Sequence, residues 1–186
     1  MPFVQYRTLQ AVCSPRCAIK EAKAKTEKKE RQQLAVRKKA LKTDDRRHQL
    51  KLTQMSFNKL RKLQEYKWFA DKGLEPTCIS CGKEKGGDSW ACGHFKTVAG
   101  HSALRFDEKN TYLQHNFRCN SNLSGDINGT ATTHGYKQGL INRFGEDEGQ
   151  SIIDYCESHK EPLNYTCEDL ISMRKQFSKL IKQLEG

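Results

Sequence analysis

Residues 18–66 are rich in Lys, Glu, Ala, Gln and Arg and contain no Gly or Pro, a composition that predicts long helix. Apolar positions are sparse in the first half of this stretch, at Leu34, Val36 and Leu41. They are denser in the second, at Leu50, Leu52, Met55, Leu60 and Leu63. The first half is therefore expected to lie in solvent or along a ligand, and the second to dock on a core. Gly73 and Pro76 end the region. Short strands are expected over 89–95 and 111–114, with turns through Gly82, Gly86, Gly87 and Gly100. After a loop over 125–135, helix is predicted over 136–159 with an interruption at 145–149. The last helix opens on Thr166 and Asp169, a pair resembling a capping box, and carries Leu170, Met173, Phe177, Leu180 and Leu184 as one stripe. That stripe reads as packing or dimer surface.

Composition bounds what these elements build. With 186 residues and 35% hydrophobic content, the chain suits one domain of modest core plus an extension. The mean hydropathy of −0.85 points the same way. No apolar run is long enough to span a bilayer, and MPFVQYRTLQAVC lacks a secretory pattern, so a soluble, cytoplasmic protein without a membrane partner is expected.

The net charge of +11 is unevenly distributed. Residues 1–75 hold 20 Lys and Arg against 8 Asp and Glu, whereas residues 76–186 hold 13 against 14. A segment so basic is suited to a polyanion, because each cation that neutralises a phosphate releases condensed counterions. The candidate nucleic-acid contacts are Lys20, Lys23, Lys25, Lys28, Lys29, Arg31, Arg37, Lys38, Lys39, Lys42, Arg46 and Arg47.

Eight cysteines without a secretory signal suggest metal ligands and isolated thiols before disulfides. Cys78 and Cys81 form a C-x2-C knuckle, which places two sulfurs on one tetrahedral ion. His115 and Cys119 supply a second pair, with Cys92 as a rival fourth ligand. Structural zinc is the expected cofactor of this set, and its binding would be coupled to folding. Cys13 and Cys17 form another pair, in C-S-P-R-C.

Between the halves of the zinc set stands His94, in a predicted strand after Trp90 and Gly93. Phosphodiester hydrolysis needs a base to activate water and a divalent ion to neutralise charge on the phosphate. A neutral imidazole suits the first role near neutral pH. An amide such as Asn120, fixed directly after Cys119, suits the second as a ligand of Mg2+ or Mn2+.

At these residues the chain resembles the NinG (Rap) recombination proteins of lambdoid phages, with the HNH (His-Me finger) nucleases as the broader group. The resemblance is carried by CISCG at 78–82, W-x-x-GHF at 90–95, LRFDEKN at 104–110, the CN pair ending at Asn120, LSG at 123–125 and Y-x-x-x-LINRFG at 136–145. It implies an α+β fold with a small zinc-stabilised ββα-metal (HNH-like) core, a long basic N-terminal helix and C-terminal helices. The corresponding segments are a short N-terminal piece (1–17), a basic DNA-binding arm (18–75), the nuclease core (76–135) and a helical C-terminal region (136–186). It also implies a Mg2+-dependent endonuclease that cleaves branched DNA, such as Holliday junctions and D-loops, in phage recombination. Its partners would be branched DNA, a second copy of the chain and other recombination proteins, inside the bacterial host. His94 would be the general base, Asn110 the residue bracing the loop behind it, and Asn120 the amide ligand of the catalytic ion.

The chain departs from this pattern in three places. Ala91 stands where lambda-like members carry Asp and Gly93 precedes the base, which leaves Asp88 or His101 to complete the catalytic ion's ligands. His115-x3-Cys119 replaces a CxxC, lengthening the knuckle by one residue. Cys13 and Cys17 lack the upstream pair that completes a small zinc finger in those relatives. The rival function is therefore a non-catalytic zinc protein that binds DNA or junctions, with a zinc-containing RNA binder as a third reading.

Overall fold

The computed structural model describes residues 12–121, 128–130 and 133–186. Residues 1–11 of the N-terminal piece and the LSG motif at 123–125 lie outside them. The chain divides into two compact units, Met1–His48 and Gln49–Gly186.

In the first unit, Ser14 adopts extended backbone and its hydroxyl accepts from the Cys17 N–H at 3.3 Å, capping helix α1 (Pro15–Asp44) with Pro15 in its first turn. Thirty residues at 1.5 Å each make α1 about 45 Å long. None of its residues is buried, and Val36 and Leu41 are 69% and 74% exposed. The sequence predicts one unbroken helix over 18–66, but the chain breaks it at Asp45. That residue turns extended (φ −78, ψ 101), and its carboxylate accepts from the His48 N–H at 3.2 Å. An Asp that satisfies the first free N–H groups of a new helix ends the old one.

Helix α2 (Arg46–Asp71) is the spine of the second unit from Gln49 onward and buries Thr53, Phe57, Leu60 and Phe69. Strands β1 (Trp90–His94) and β2 (Thr111–His115) form an antiparallel pair in the register Trp90↔His115, Cys92↔Leu113, His94↔Thr111. One π-type turn, Asn116–Asn120, follows β2 directly. Helices α3 (Gly135–Phe144) and α4 (Glu146–Ser158) meet at Gly145, within the interval where the sequence predicts the interruption.

The core of this unit gathers Ile79, Phe95, Leu104, Tyr112, Tyr136, Leu140, Ile152, Ile153 and Cys156. Each large apolar side chain buried there contributes about 1.5–3 kcal/mol. Helix α5 (Cys167–Glu185) begins with the predicted capping box, Thr166 and Asp169 bonding reciprocally. It docks on α2: Thr53 Oγ1 donates to the Leu170 carbonyl at 2.9 Å, and Phe177 packs against Phe57 with centroids 5.4 Å apart. Of the predicted stripe, Leu170 is fully buried and Leu180 is 41% exposed, while Ile181 takes a buried place instead. Among the described residues the fold is thus helix-rich with one small two-stranded sheet.

Candidate metal centre

The knuckle is a tight hairpin. Thr77 pairs with Glu84, the Cys78 N–H donates to the Lys83 carbonyl at 2.9 Å, and the Gly82 N–H donates to the Cys78 carbonyl at 2.8 Å. The Ile79 N–H donates to the Leu113 carbonyl at 2.9 Å, which ties the hairpin to β2. On its other side Gly139 of α3 comes so close that a Cβ there would fall 1.7 Å from the Ile79 carbonyl oxygen. Only glycine allows this approach.

Together these contacts bring Cys78, Cys81, His115 and Cys119 into one cluster whose four ligand atoms lie within 4.8 Å of one another. Cys78 and Cys119 are each 1% exposed and His115 is fully buried. An ion bound tetrahedrally at about 2.0–2.3 Å needs ligand atoms about 3.3–3.8 Å apart. Cys81 Sγ and His115 Nδ1 are already 3.3 Å apart. His115 Nε2 is 2.9 Å from the Glu84 carbonyl, which only accepts, so Nε2 carries the proton and Nδ1 is left as the ligand nitrogen. Burial raises the Cys78 thiol above its ordinary range, and the neighbouring Cys81 adds to the rise, while the His115 N–H pulls it down. A bound cation offsets such a cost. The set can hold a metal such as zinc. Cys92 lies outside the cluster. Burial pushes its thiol up to about 12.

The remaining predicted residues take separate places. His94 is half-buried at the end of β1, its Nε2 3.1 Å from the Arg105 carbonyl. Burial lowers its pKa below the ordinary imidazole value, outweighing the carbonyls of Arg105 and Cys92 that favour the charged form. Asn110 is fully buried; its Oδ1 accepts from the Lys96 N–H at 2.7 Å, and its Nδ2 donates to the Lys96 and Leu104 carbonyls at 3.0 Å each. One amide thus cross-links the loop that follows His94.

Asp88 precedes β1 at the Trp90 end, and four strand steps of about 3.3 Å separate that end from His94. Its carboxylate accepts from the Ser89, Phe117 and Arg118 N–H groups at 2.7, 3.2 and 3.0 Å, capping the Asn116–Asn120 turn. Burial opposes its ionisation, but those three donors outweigh it and hold the carboxyl below the usual range. Asn120 is half-buried at the end of the same turn, directly after Cys119. His101 is half-buried in the loop after β1, and its Nδ1 has no hydrogen-bond partner among the described residues. Mg2+ favours one or two carboxylates. The carboxylate held against the turn of Asn120 is that of Asp88, already engaged by three N–H groups, a thin fit for that ion. All twelve candidate nucleic-acid cations, from Lys20 to Arg47, are exposed.

One part of the centre is only partly signalled in the sequence. Glu65 of α2 accepts from Arg61 at 3.3 Å, from Arg143 at 2.8 Å and from the Leu113 N–H at 3.2 Å. Arg61 also donates to the Thr111 carbonyl at 2.8 Å, and Arg143 to the Thr77 carbonyl at 2.7 Å. This buried network joins α2, β2 and α3 to the residue before Cys78. Arg61 and Glu65 are four apart on one helix, a spacing that hints at their pairing; Arg143 lies 78 residues from Glu65 and carries no such signal.

The family model described as "Bacteriophage Lambda NinG protein" matches residues 1–186. The chain belongs to the NinG family. It is 29% identical over 153 residues to protein ninG of Escherichia phage 933W, covering 82% of this chain and 65% of that protein. It is 27% identical over 192 residues to protein ninG of Escherichia phage lambda, covering 94% and 83%. Protein ninG of Salmonella phage P22 is 27% identical over 190 residues, covering 92% and 83%. The chain therefore spans just under two thirds of the length of the phage 933W relative. No solved structure matches. Among the described residues, no helix is long and apolar enough to cross a membrane.

Proposed function

We propose that this NinG-family protein is a structure-selective DNA endonuclease of the HNH type, hydrolysing phosphodiester bonds in branched DNA such as Holliday junctions and D-loops. The observation that carries the reading is the hydrogen bond between His94 Nε2 and the Arg105 carbonyl, 3.1 Å. A carbonyl only accepts, so Nε2 holds the proton and Nδ1 keeps the lone pair that a general base needs. Burial lowers its pKa and so favours the neutral imidazole. His94 Nδ1 takes a proton from water, the water oxygen bonds to phosphorus, and the bond from phosphorus to the leaving sugar oxygen breaks in line. Asn110 holds the loop behind the base, and the Cys78, Cys81, His115 and Cys119 cluster pins the opposite end of the hairpin.

Zinc bound by that cluster would supply folding free energy to the hairpin. A Mg2+ ion would offset charge on the phosphate; Asn120 is its candidate ligand, although the described residues beside it, with Asp88 already engaged by three N–H groups, offer that ion a thin ligand set. The exposed cations of α1 grip phosphates without reading bases, so selectivity comes from the shape of the branch. The protein would act in the bacterial host, as a dimer alongside other recombination proteins.

A second reading, a junction-binding protein without catalysis, is favoured by one observation. Gly93 directly precedes the base, and a Cβ there would fall 2.0 Å from Gln114 Oε1 and 2.8 Å from the Gln114 Cβ, so the space an acid would need there is filled. Zinc-loaded protein incubated with a labelled four-way junction, with and without Mg2+, separates the two. Mg2+-dependent cutting that disappears in a folded, zinc-containing His94→Ala variant supports the endonuclease. Cutting at full rate by that variant removes His94 from the role, and tight binding without any cutting supports the second reading.

A further inference from the structure

Helix α5 carries positive charge that the balance of residues 76–186 conceals. Between Asp169 and Glu185 it holds Arg174, Lys175, Lys179 and Lys182 and no acid. These cations, with Ile171 and Ser178, line one concave strip of about 400 Å³ along the helix. Steps of three and four residues keep them on one face, and at 1.5 Å per residue the strip runs about 16 Å.

The other side of α5 is committed to the core. Leu170 is fully buried, Ile181 is 8% exposed, and Phe177 packs on Phe57 and Phe106. Arg174 is anchored by Gln49 at 2.8 Å. The acid at the end of the helix, Glu185, is paired with Lys59 at 2.6 Å. Lys175, Lys179 and Lys182 have no ion-pair partner among the described residues. Like charges at such spacings repel, so the docked helix holds an arrangement that a polyanion relieves.

We propose that this strip is a phosphate-backbone contact for duplex DNA, made by residues separate from those of α1. The inference rests on the DNA-directed reading for its partner. An anionic bilayer is the competing polyanion, but helices that bind one bury their apolar face in it. Here that face is packed on Phe57 and Phe106.

The test compares the full, zinc-loaded chain with a Lys175→Gln/Lys179→Gln/Lys182→Gln variant, titrated into a labelled duplex over a salt series without Mg2+. Each lost phosphate contact removes about 0.9 from the slope of log K against log salt, so a fall of about two to three is expected, with at least roughly tenfold weaker binding at low salt. Unchanged affinity and slope overturn the proposal. So does a variant that keeps DNA binding while losing binding to anionic vesicles. Because binding is read without Mg2+, a protein that binds through the strip yet cuts no junction fails the endonuclease reading alone. Junction cutting alongside an unchanged variant slope fails this inference alone.

Discussion

Trp90 lies flat against His115, with ring centroids 5.0 Å apart and planes within 6°, and the two are direct cross-strand partners. The stack fixes the rotation of an imidazole whose Nε2 is held by the Glu84 carbonyl and whose Nδ1 faces Cys81 at 3.3 Å. A residue of the W-x-x-GHF motif thereby serves the metal cluster.

Trp90→Ala is expected to weaken zinc binding about tenfold or more while leaving one metal per cluster, as loss of an outer partner does at other metal sites. Competition with a chromophoric chelator measures it, and unchanged affinity would show that the stack does not orient His115.

Removing the metal should cost the second unit its cooperative fold, since structural zinc in small domains supplies apparent binding free energies of about 10–16 kcal/mol. Chelation followed by circular dichroism and thermal melting reads this. Cys119→Ser should abolish zinc binding at the cluster, whereas Cys92→Ala should leave it unchanged, because the Cys92 thiol lies outside the cluster.

Glu65→Gln should destabilise the protein by about 3–5 kcal/mol, the usual cost of breaking a buried ion pair from one side. Glu65 and Arg143 are each only 6% exposed in their side chains, so water cannot replace the lost charge. Denaturant melts test this, and a loss under about 1 kcal/mol would mean that Arg143 finds another partner.

The buried His94 has a lowered pKa, so it binds a proton less readily in the fold than in the unfolded chain. Its contribution to stability is complete above about pH 6.5 and is lost as the pH falls towards the folded value. Melts of wild type and His94→Gln from neutral to mildly acid pH should converge as the pH drops. If His94 is the base, the acid limb of kcat/KM also lies below about pH 6.5.

Charge reversal at Lys20, Lys28, Lys38 and Lys42 should weaken duplex binding and flatten its salt dependence. Unchanged titrations would leave α1 without a role in binding.

Much of the site is legible in the sequence because ligand spacing is a local property. C-x2-C, the His115 and Cys119 pair, and the strands at Trp90–His94 and Thr111–His115 all follow from short-range patterns. The break at Asp45 is not legible, since helix-forming residues flank it and only a side-chain cap ends α1. The charge strip on α5 is hidden by averaging over acidic residues elsewhere in 76–186.

Composition and spacing, which act over a few residues, are enough to give the helical arm, the candidate ligands Cys78, Cys81, His115 and Cys119, and the resemblance to NinG proteins. They leave Cys92 as a rival fourth ligand, and only the folded chain excludes it while bringing the other four together. Packing between distant elements likewise joins Glu65 to Arg143 across 78 positions and lays Trp90 on His115. The pairing of Trp90 with His115 in particular requires the β1–β2 register, which no local pattern specifies.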